Sequence, residues 1–214
     1  MTCTQQLDGL LRMSRIIPVI TLDRVEDAVP LARALIAGGL PLLEITLRTP
    51  AGLAGAAAII AEVPDAVVGI GTVLTPADLR RAVDIGARFA LSPGATAPLL
   101  DAAAQASIPF LPGVATASEL MAAMDRSFTV AKFFPATAAG GIPALRALAG
   151  PFPTARFCPT GGVTEDNAAD WLALPNVAAL GGSWLSPQAD VAAGRWDAIT
   201  QRAMRIVARV AEVR

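Results

Sequence analysis

The sequence predicts an α/β fold: a single-domain (β/α)8 TIM barrel with a short N-terminal helix, spanning residues 1–214. Strand-like runs alternate with helix-like segments eight times along the chain. The strand-like runs are almost continuously apolar, which is typical of a parallel sheet covered by helices. No long linker, low-complexity segment or domain-sized change in composition divides the chain. A doubly wound open sheet is the alternative architecture.

The elements can be placed in order from local signals. A short amphipathic helix leads, and the strand-like runs then begin at Ile16, Leu42, Val67, Phe89, Ile108, Thr129, Ala155 and Val177. Cap-capable or acidic residues predict three helix starts, at Thr75-Pro76 with Asp78, at Thr116 with Glu119, and at Thr164-Glu165-Asp166. Glycines at Gly38-Gly39 and Gly86 predict helix ends.

The composition is more apolar than that of a typical soluble monomer, with 54% hydrophobic residues, 16% charged residues and a mean hydropathy of +0.54. The longest uncharged stretch, Trp171 to Ala189, contains two prolines and a glycine pair, so we do not expect it to span a membrane. Burial between identical subunits is the better explanation of the apolar excess.

The net charge and the cysteine content argue against several classes of function. A net charge of -1 and a pI near 5.4 provide no field that would attract nucleic acid. Two distant cysteines, Cys3 and Cys158, do not make a disulfide framework and fit a reducing cytoplasm. The opening residues MTCTQQLDGLLRM lack the basic and apolar regions of a signal peptide.

Histidine is absent from the whole chain. This removes the commonest general base and the commonest metal ligand. We therefore expect no transition-metal site, although carboxylates could still hold Mg²⁺. Acid/base chemistry must come from Glu, Asp, Lys or water.

Lys132 is the only lysine in the sequence, and it lies in the strand-like run TVAKFFP. Alternation along a strand places Val130, Lys132 and Phe134 on one face, and Ala131 and Phe133 on the other. Burial disfavours the charged ammonium, and the neutral amine is the nucleophile that attacks a ketone to form a Schiff base. The alternative is a structural lysine that reaches solvent or pairs with an acid.

Other polar and special-backbone residues gather where the predicted strands end, which is the edge that carries the active site in such barrels. Glu44, Thr46 and Arg48 share one strand face, so Glu44 and Arg48 are expected to point inward. Inward charges are costly unless used or paired. A purely structural Glu44–Arg48 ion pair is the alternative.

Two glycine-rich segments, PTGGVTEDN and LGGSW, end the last two predicted strands. Exposed glycine N–H groups near a helix N-terminus can bind an anion, and these loops form the recurrent phosphate site of the fold. A glycine pair alone is more often a simple turn.

With these residues assembled, the sequence resembles the bacterial 2-keto-3-deoxy-6-phosphogluconate (KDPG) and 4-hydroxy-2-oxoglutarate (KHG) aldolases. The matching segments extend from Ile17 to Leu185, and the most specific are EITLRT, KFFPA and RFCPTGG. The resemblance implies class I, metal-independent aldolase chemistry without a cofactor, on a small 2-keto acid, in a homotrimer.

The resemblance also implies a role for each matching position. Lys132 would form the Schiff base and Glu44 would be the general acid/base, acting through water. Arg48 and Thr72 would hold the pyruvyl carboxylate, and the pocket around it would be shaped by Pro93, Phe134 and Thr160. The phosphate would be bound by Gly161, Gly162, Gly182 and Ser183. One position departs from the family pattern, because Thr137 follows KFFPA where an acidic residue is expected.

Two other functions remain possible from the residues alone. A non-covalent sugar-phosphate isomerase or epimerase could use the same loops, with Glu44 as base and Lys132 as a point charge. A catalytically silent binding or assembly protein would show ligand binding without turnover. Fold class does not decide among them.

Overall fold

A computed structural model describes residues 3–211, so the first two and last three residues of the predicted domain lie outside the described residues. The helices are α1 (Cys3–Met13), α2 (Ala28–Ala37), α3 (Ala51–Glu62), α4 (Pro76–Asp84), α5 (Ala97–Ala104), α6 (Ala117–Met124), α7 (Gly141–Ala149), α8 (Ala168–Leu172), α9 (Gln188–Ala192) and α10 (Trp196–Ala211). The strands are β1 (Ile16–Ile20), β2 (Leu42–Thr46), β3 (Val67–Gly71), β4 (Phe89–Leu91), β5 (Phe110–Leu111), β6 (Gly113–Val114), β7 (Val130–Phe133), β8 (Arg156–Pro159) and β9 (Leu180–Gly182).

The strands do not form one closed eight-stranded barrel, and that prediction is wrong. They form a six-stranded parallel sheet in the order β5-β4-β3-β2-β1-β9 and a three-stranded parallel sheet in the order β6-β7-β8. All eight predicted runs contain a strand, so the alternation of strand and helix is confirmed. The error concerns how the strands join.

Pro112 explains one of the two breaks, because it interrupts the fifth predicted run between β5 and β6. Proline has no N–H to give to a ladder. Leu111 O still accepts a hydrogen bond from Ser92 N on the β4 side, at 3.2 Å, whereas Pro112 O accepts from Lys132 N in β7, at 2.9 Å. The chain thus changes sheets at this proline. At the other edge, the described part of the chain has two isolated bridges between the β8 and β9 segments, Phe157–Val177 and Thr160–Gly181.

Two of the predicted helix starts are confirmed in detail. Thr75 with Asp78, and Thr116 with Glu119, each form a complete capping box at the N-termini of α4 and α6. The third is wrong, because α8 begins only at Ala168. Thr164 N instead donates to the side chain of Asn167, at 2.9 Å, and the intervening residues form a turn.

The predicted helix ends are also confirmed. Gly38 caps α2 and is followed by Gly39 with φ +89°, and Gly86 with φ +83° follows α4. Positive φ is the left-handed conformation that glycine adopts without steric cost.

The apolar side chains form two clusters, one on each face of the strands. The larger cluster packs the helices on the outer faces and includes Ala131 and Phe133. The smaller, inner cluster comprises Leu7, Leu10, Leu11, Ile17, Leu42, Phe89, Leu91, Leu111, Val130, Cys158 and Ala179. Three of these leucines belong to α1, so the predicted lead helix closes the inner cluster. Asp8 of α1 also pairs with Arg156 of β8.

Within residues 3–211, no helix is both long enough and apolar enough to cross a membrane.

Candidate active site

The amine of Lys132 and the carboxylate of Glu44 meet between the two sheets. Lys132 Nζ lies 2.7 Å from Glu44 Oε1, and the two side chains are only 3% and 1% exposed. The predicted orientation of Lys132 is confirmed, because its neighbours Ala131 and Phe133 pack in the outer cluster. The predicted alternative partner for Glu44 is wrong: among the described residues, its ion pair is with Lys132 and not with Arg48.

The second carboxylate oxygen, Glu44 Oε2, is buried and has no hydrogen-bond partner among residues 3–211. A buried carboxylate oxygen without a donor is costly, so this atom has capacity for a hydroxyl or a water. The Lys132 amine also lies 5.6 Å from the centre of the Phe134 ring, which covers it with an aromatic face. Glu44 is therefore in position to exchange protons both with Lys132 and with a bound hydroxyl.

Cys158 is a third member of this environment, and sequence reasoning did not place it there. It lies opposite Lys132 in the β7–β8 register, and it is buried in the inner cluster. Burial raises the pKa of the Cys158 thiol to about 12; Lys132 opposes this shift and Glu44 adds to it. The thiol is therefore a neutral packing group at neutral pH. The sequence did carry one signal for this placement: Cys158 lies in the predicted strand that follows the strand of Lys132.

The structure places the two predicted carboxylate-binding residues, Arg48 and Thr72, in different environments. Arg48 is exposed in the turn after β2, because the strand ends at Thr46; the expectation that it points inward with Glu44 is not met. It lines a surface cavity together with Arg81. Thr72 is half-buried directly after β3, with φ +60°. A β-branched residue in that conformation is uncommon and is typical of functional sites.

Pro93 and Thr160 are each held against a glycine. A Cβ on Gly113 would lie 2.5 Å from the backbone N that follows Pro93, and a Cβ on Gly181 would lie 2.9 Å from Thr160 Cγ2. Pro93 is half-buried, whereas Thr160 is buried and bridges to Gly181. Both lie at the carboxyl ends of strands, as predicted, although the structure gives no contact between them and Lys132.

Gly161 and Gly162 follow the carboxyl end of β8, whereas Gly181 and Gly182 lie within β9 and Ser183 follows that strand. Gly161 and Gly162 have φ values of +96° and +79°. Thr137 N donates to Gly161 O at 3.0 Å, and the Thr137 side chain packs on the α-carbon of Gly162. The residue that departs from the family pattern therefore touches the predicted phosphate loop.

In the other segment, Gly182 is buried beneath the ring of Trp184, and Ser183 is exposed. The helices that follow the two segments, α8 and α9, have five residues each. The predicted helix N-termini are therefore short and lie several residues beyond the glycines.

Within residues 3–211, no three or more Cys, Asp or Glu side chains gather in a way that could hold a metal ion.

A family model described as KDPG and KHG aldolase matches residues 7–202. The KHG/KDPG aldolase of Escherichia coli strain K12 is 50% identical over 200 residues, which cover 94% of each chain.

Two solved structures are similar over nearly the whole fold. A KDPG aldolase from Legionella pneumophila, with pyruvate captured as a covalent carbinolamine, has a TM-score of 0.91 and 47% identity, over 93% of this chain and 97% of that one. The KDPG aldolase of Zymomonas mobilis with 3-phosphoglycerate has a TM-score of 0.86 and 42% identity, over 94% and 95% of the two chains.

Proposed function

Because this chain belongs to the KDPG and KHG aldolase family, we propose that Lys132 and Glu44 carry out its carbon–carbon bond cleavage. The enzyme is a class I, Schiff-base aldolase, a lyase that releases pyruvate. Its substrates are 2-dehydro-3-deoxy-6-phosphogluconate, which yields pyruvate and glyceraldehyde 3-phosphate, and 4-hydroxy-2-oxoglutarate, which yields pyruvate and glyoxylate. The observation that carries the assignment of residues is the buried 2.7 Å contact between Lys132 Nζ and Glu44 Oε1.

The first step needs a neutral amine. Glu44 Oε1 accepts a proton from Lys132, and the free amine attacks the C2 ketone to give a carbinolamine. Glu44 returns this proton to the carbinolamine hydroxyl, which leaves as water, and an iminium remains with the new C=N bond between Lys132 Nζ and C2. The free oxygen, Glu44 Oε2, is available to hold the departing water or a substrate hydroxyl.

The second step breaks the C3–C4 bond. Glu44, directly or through water, takes the proton of the C4 hydroxyl, and the electron pair of the C3–C4 bond passes into the iminium. The aldehyde leaves, and the enamine of pyruvate stays on Lys132. Protonation at C3 and hydrolysis of the imine release pyruvate and restore the amine.

The two ends of the substrate would be recognised by residues at or near the carboxyl ends of the strands. Arg48 and Thr72 would hold the pyruvyl carboxylate, and the pocket around it would be shaped by Pro93, Phe134 and Thr160. The phosphate would be held by Gly161, Gly162, Gly182 and Ser183. The backbone N–H groups of a glycine loop suit a phosphate, and the strained conformation of Thr72 is the type of feature that accompanies ligand sites.

We further propose that residues 1–214 form one domain, that the enzyme is a cytoplasmic homotrimer, and that it needs no cofactor. The high apolar content of the chain supports burial between subunits. The side chains available to such an interface include Leu74, Met121 and Met204, which are each more than half exposed.

Trapping with borohydride tests the function directly. The protein is incubated with pyruvate, reduced, and weighed intact by mass spectrometry. Because Lys132 is the only lysine, a reduced adduct is expected in the wild type and not in Lys132→Ala. Lys132→Arg serves as a second control that keeps a positive charge beside Glu44. Absence of an adduct from folded wild-type protein would overturn the Schiff-base mechanism and favour a non-covalent isomerase.

A further inference from the structure

We propose that Gly71 is a positioning residue for the reaction, because its missing side chain leaves the space in which the Glu44 carboxylate lies. This proposal rests on the proposed role of Glu44 and extends it to a residue in the neighbouring strand. Gly71 ends β3, beside Thr46 of β2 in the parallel register. It is buried.

The space is filled by the carboxylate itself. A Cβ on Gly71 would lie 2.7 Å from both Cδ and Cγ of Glu44, and closer still to Oε1. Separations below about 3 Å are not found for real Cβ atoms, so Glu44 or the backbone would have to shift. The displaced oxygen is the one that contacts Lys132 Nζ at 2.7 Å.

The need for glycine at this position is spatial. Gly71 does not have a positive φ, so an alanine could adopt its backbone conformation. The backbone around it is held on both sides, because Leu47 N donates to Gly71 O at 3.0 Å and Val73 N donates to Leu91 O at 3.1 Å. The side chain of Glu44 is therefore the part that would move.

Moving Glu44 would separate the two reacting groups. Since a displacement of about 1 Å in a catalytic group can lower a rate about 10²-fold, we expect Gly71→Ala to lower kcat by about that factor. The loss should act through the carboxylate. In a Glu44→Ala background the same substitution should change the residual turnover less than about threefold, because distant or absent partners give no coupling.

The test compares four proteins: wild type, Gly71→Ala, Glu44→Ala and the double variant. Turnover, its pH profile and the melting temperature are measured for each. Gly150→Ala is the matched control, because a Cβ there meets nothing within 4 Å. It should keep wild-type turnover.

The melting temperatures keep the proposal testable even if Gly71→Ala folds poorly. Gly71→Ala should destabilise the wild type and should not destabilise Glu44→Ala, in which the colliding atoms are gone. Equal destabilisation in both backgrounds, or a folded Gly71→Ala with wild-type kcat and pH profile, would overturn the proposal. Failure of the proposed function can be distinguished from failure of the Gly71 proposal, because the wild-type protein would then form no pyruvate adduct.

Discussion

Lys132 and Cys158 lie directly opposite one another in adjacent parallel strands, the first with an amine and the second with a thiol on the inner face. The proposed nucleophile of the site is thus packed beside a second potential nucleophile. Their environments separate them: burial raises the pKa of the Cys158 thiol to about 12, so it stays protonated and unreactive where the enzyme works.

Thiol labelling should therefore distinguish the two cysteines. At pH 8, iodoacetamide should modify the exposed Cys3 in the native protein and leave Cys158 unmodified. In denaturant, both of the chain's two cysteines should react. Cys3→Ser is the control and should show no native labelling. Rapid native modification of Cys158 would contradict its burial.

Glu44→Gln should separate imine formation from bond cleavage. The amide keeps the shape of the carboxylate but does not accept the proton, so kcat should fall about 10²–10⁴-fold, the usual contribution of a general acid/base. The borohydride-trapped pyruvate adduct should remain detectable at long incubation. Glu26→Gln, at an exposed surface ion pair with Arg24, is the matched control and should retain activity. Unchanged turnover in Glu44→Gln would remove Glu44 from the mechanism.

Gly162→Ala should weaken recognition of the phosphorylated substrate. Its Cβ would lie 2.5 Å from Thr137 Cβ and would strain a backbone with φ +79°. Loss of one hydrogen bond to a charged group predicts a KM for the phosphorylated substrate about tenfold higher or more. The KM for 4-hydroxy-2-oxoglutarate should change little.

Gly86→Ala provides the comparison for that experiment. Gly86 has φ +83°, and a Cβ there would be 3.9 Å from its nearest neighbour, Ile60 Cγ2. The same backbone strain is thus introduced without touching the predicted loop. If both variants shifted KM equally, the effect of Gly162→Ala would be one of general strain.

The capping box of α6 should make stability depend on acid pH. Hydrogen bonds from Ala115 N, and then from the Thr116 side chain and backbone, hold the pKa of Glu119 below its ordinary value. A lowered folded-state pKa gives stability that is fully present above the unfolded value of about 4.3 and is lost as pH falls through the folded value.

The measurement is the free energy of unfolding of wild type and Glu119→Gln from pH 7 to pH 3. The difference should be constant above about pH 5 and should shrink as the pH falls below about 4.3. Thr116→Ala should cost about 1 kcal/mol at pH 7. A difference that grew toward pH 3 would have the wrong sign for this cap.

The sequence predicted the elements of the fold better than their connection. Each apolar run became a strand, because burial on both faces requires continuous hydrophobicity, and two capping boxes followed from residues three positions apart. Pro112 was visible in the sequence, but its effect depends on which carbonyl faces which sheet. That arrangement is set by tertiary structure, so the closed barrel was predicted wrongly.

The site was predicted in the same uneven way. The burial of Lys132 followed from its singular occurrence and its apolar neighbours. Its partner was harder to identify: strand alternation pointed from Glu44 to Arg48, four residues away, whereas the observed partner of Glu44 is 88 residues away in sequence. Gly71 lies in the predicted strand that begins at Val67, yet only the position of the Glu44 side chain gives it a role.

The break at Pro112 places Glu44 and Lys132 in different sheets, since β2 belongs to the six-stranded sheet and β7 to the three-stranded one. The ion pair is therefore also a contact that joins the six-stranded sheet to the three-stranded sheet. Removing one partner of a buried pair commonly costs about 3–5 kcal/mol. A lysine moved to another strand would thus have to restore this contact between the two sheets as well as supply a nucleophile. This requirement limits the positions in the fold at which evolution or design could place the reactive amine.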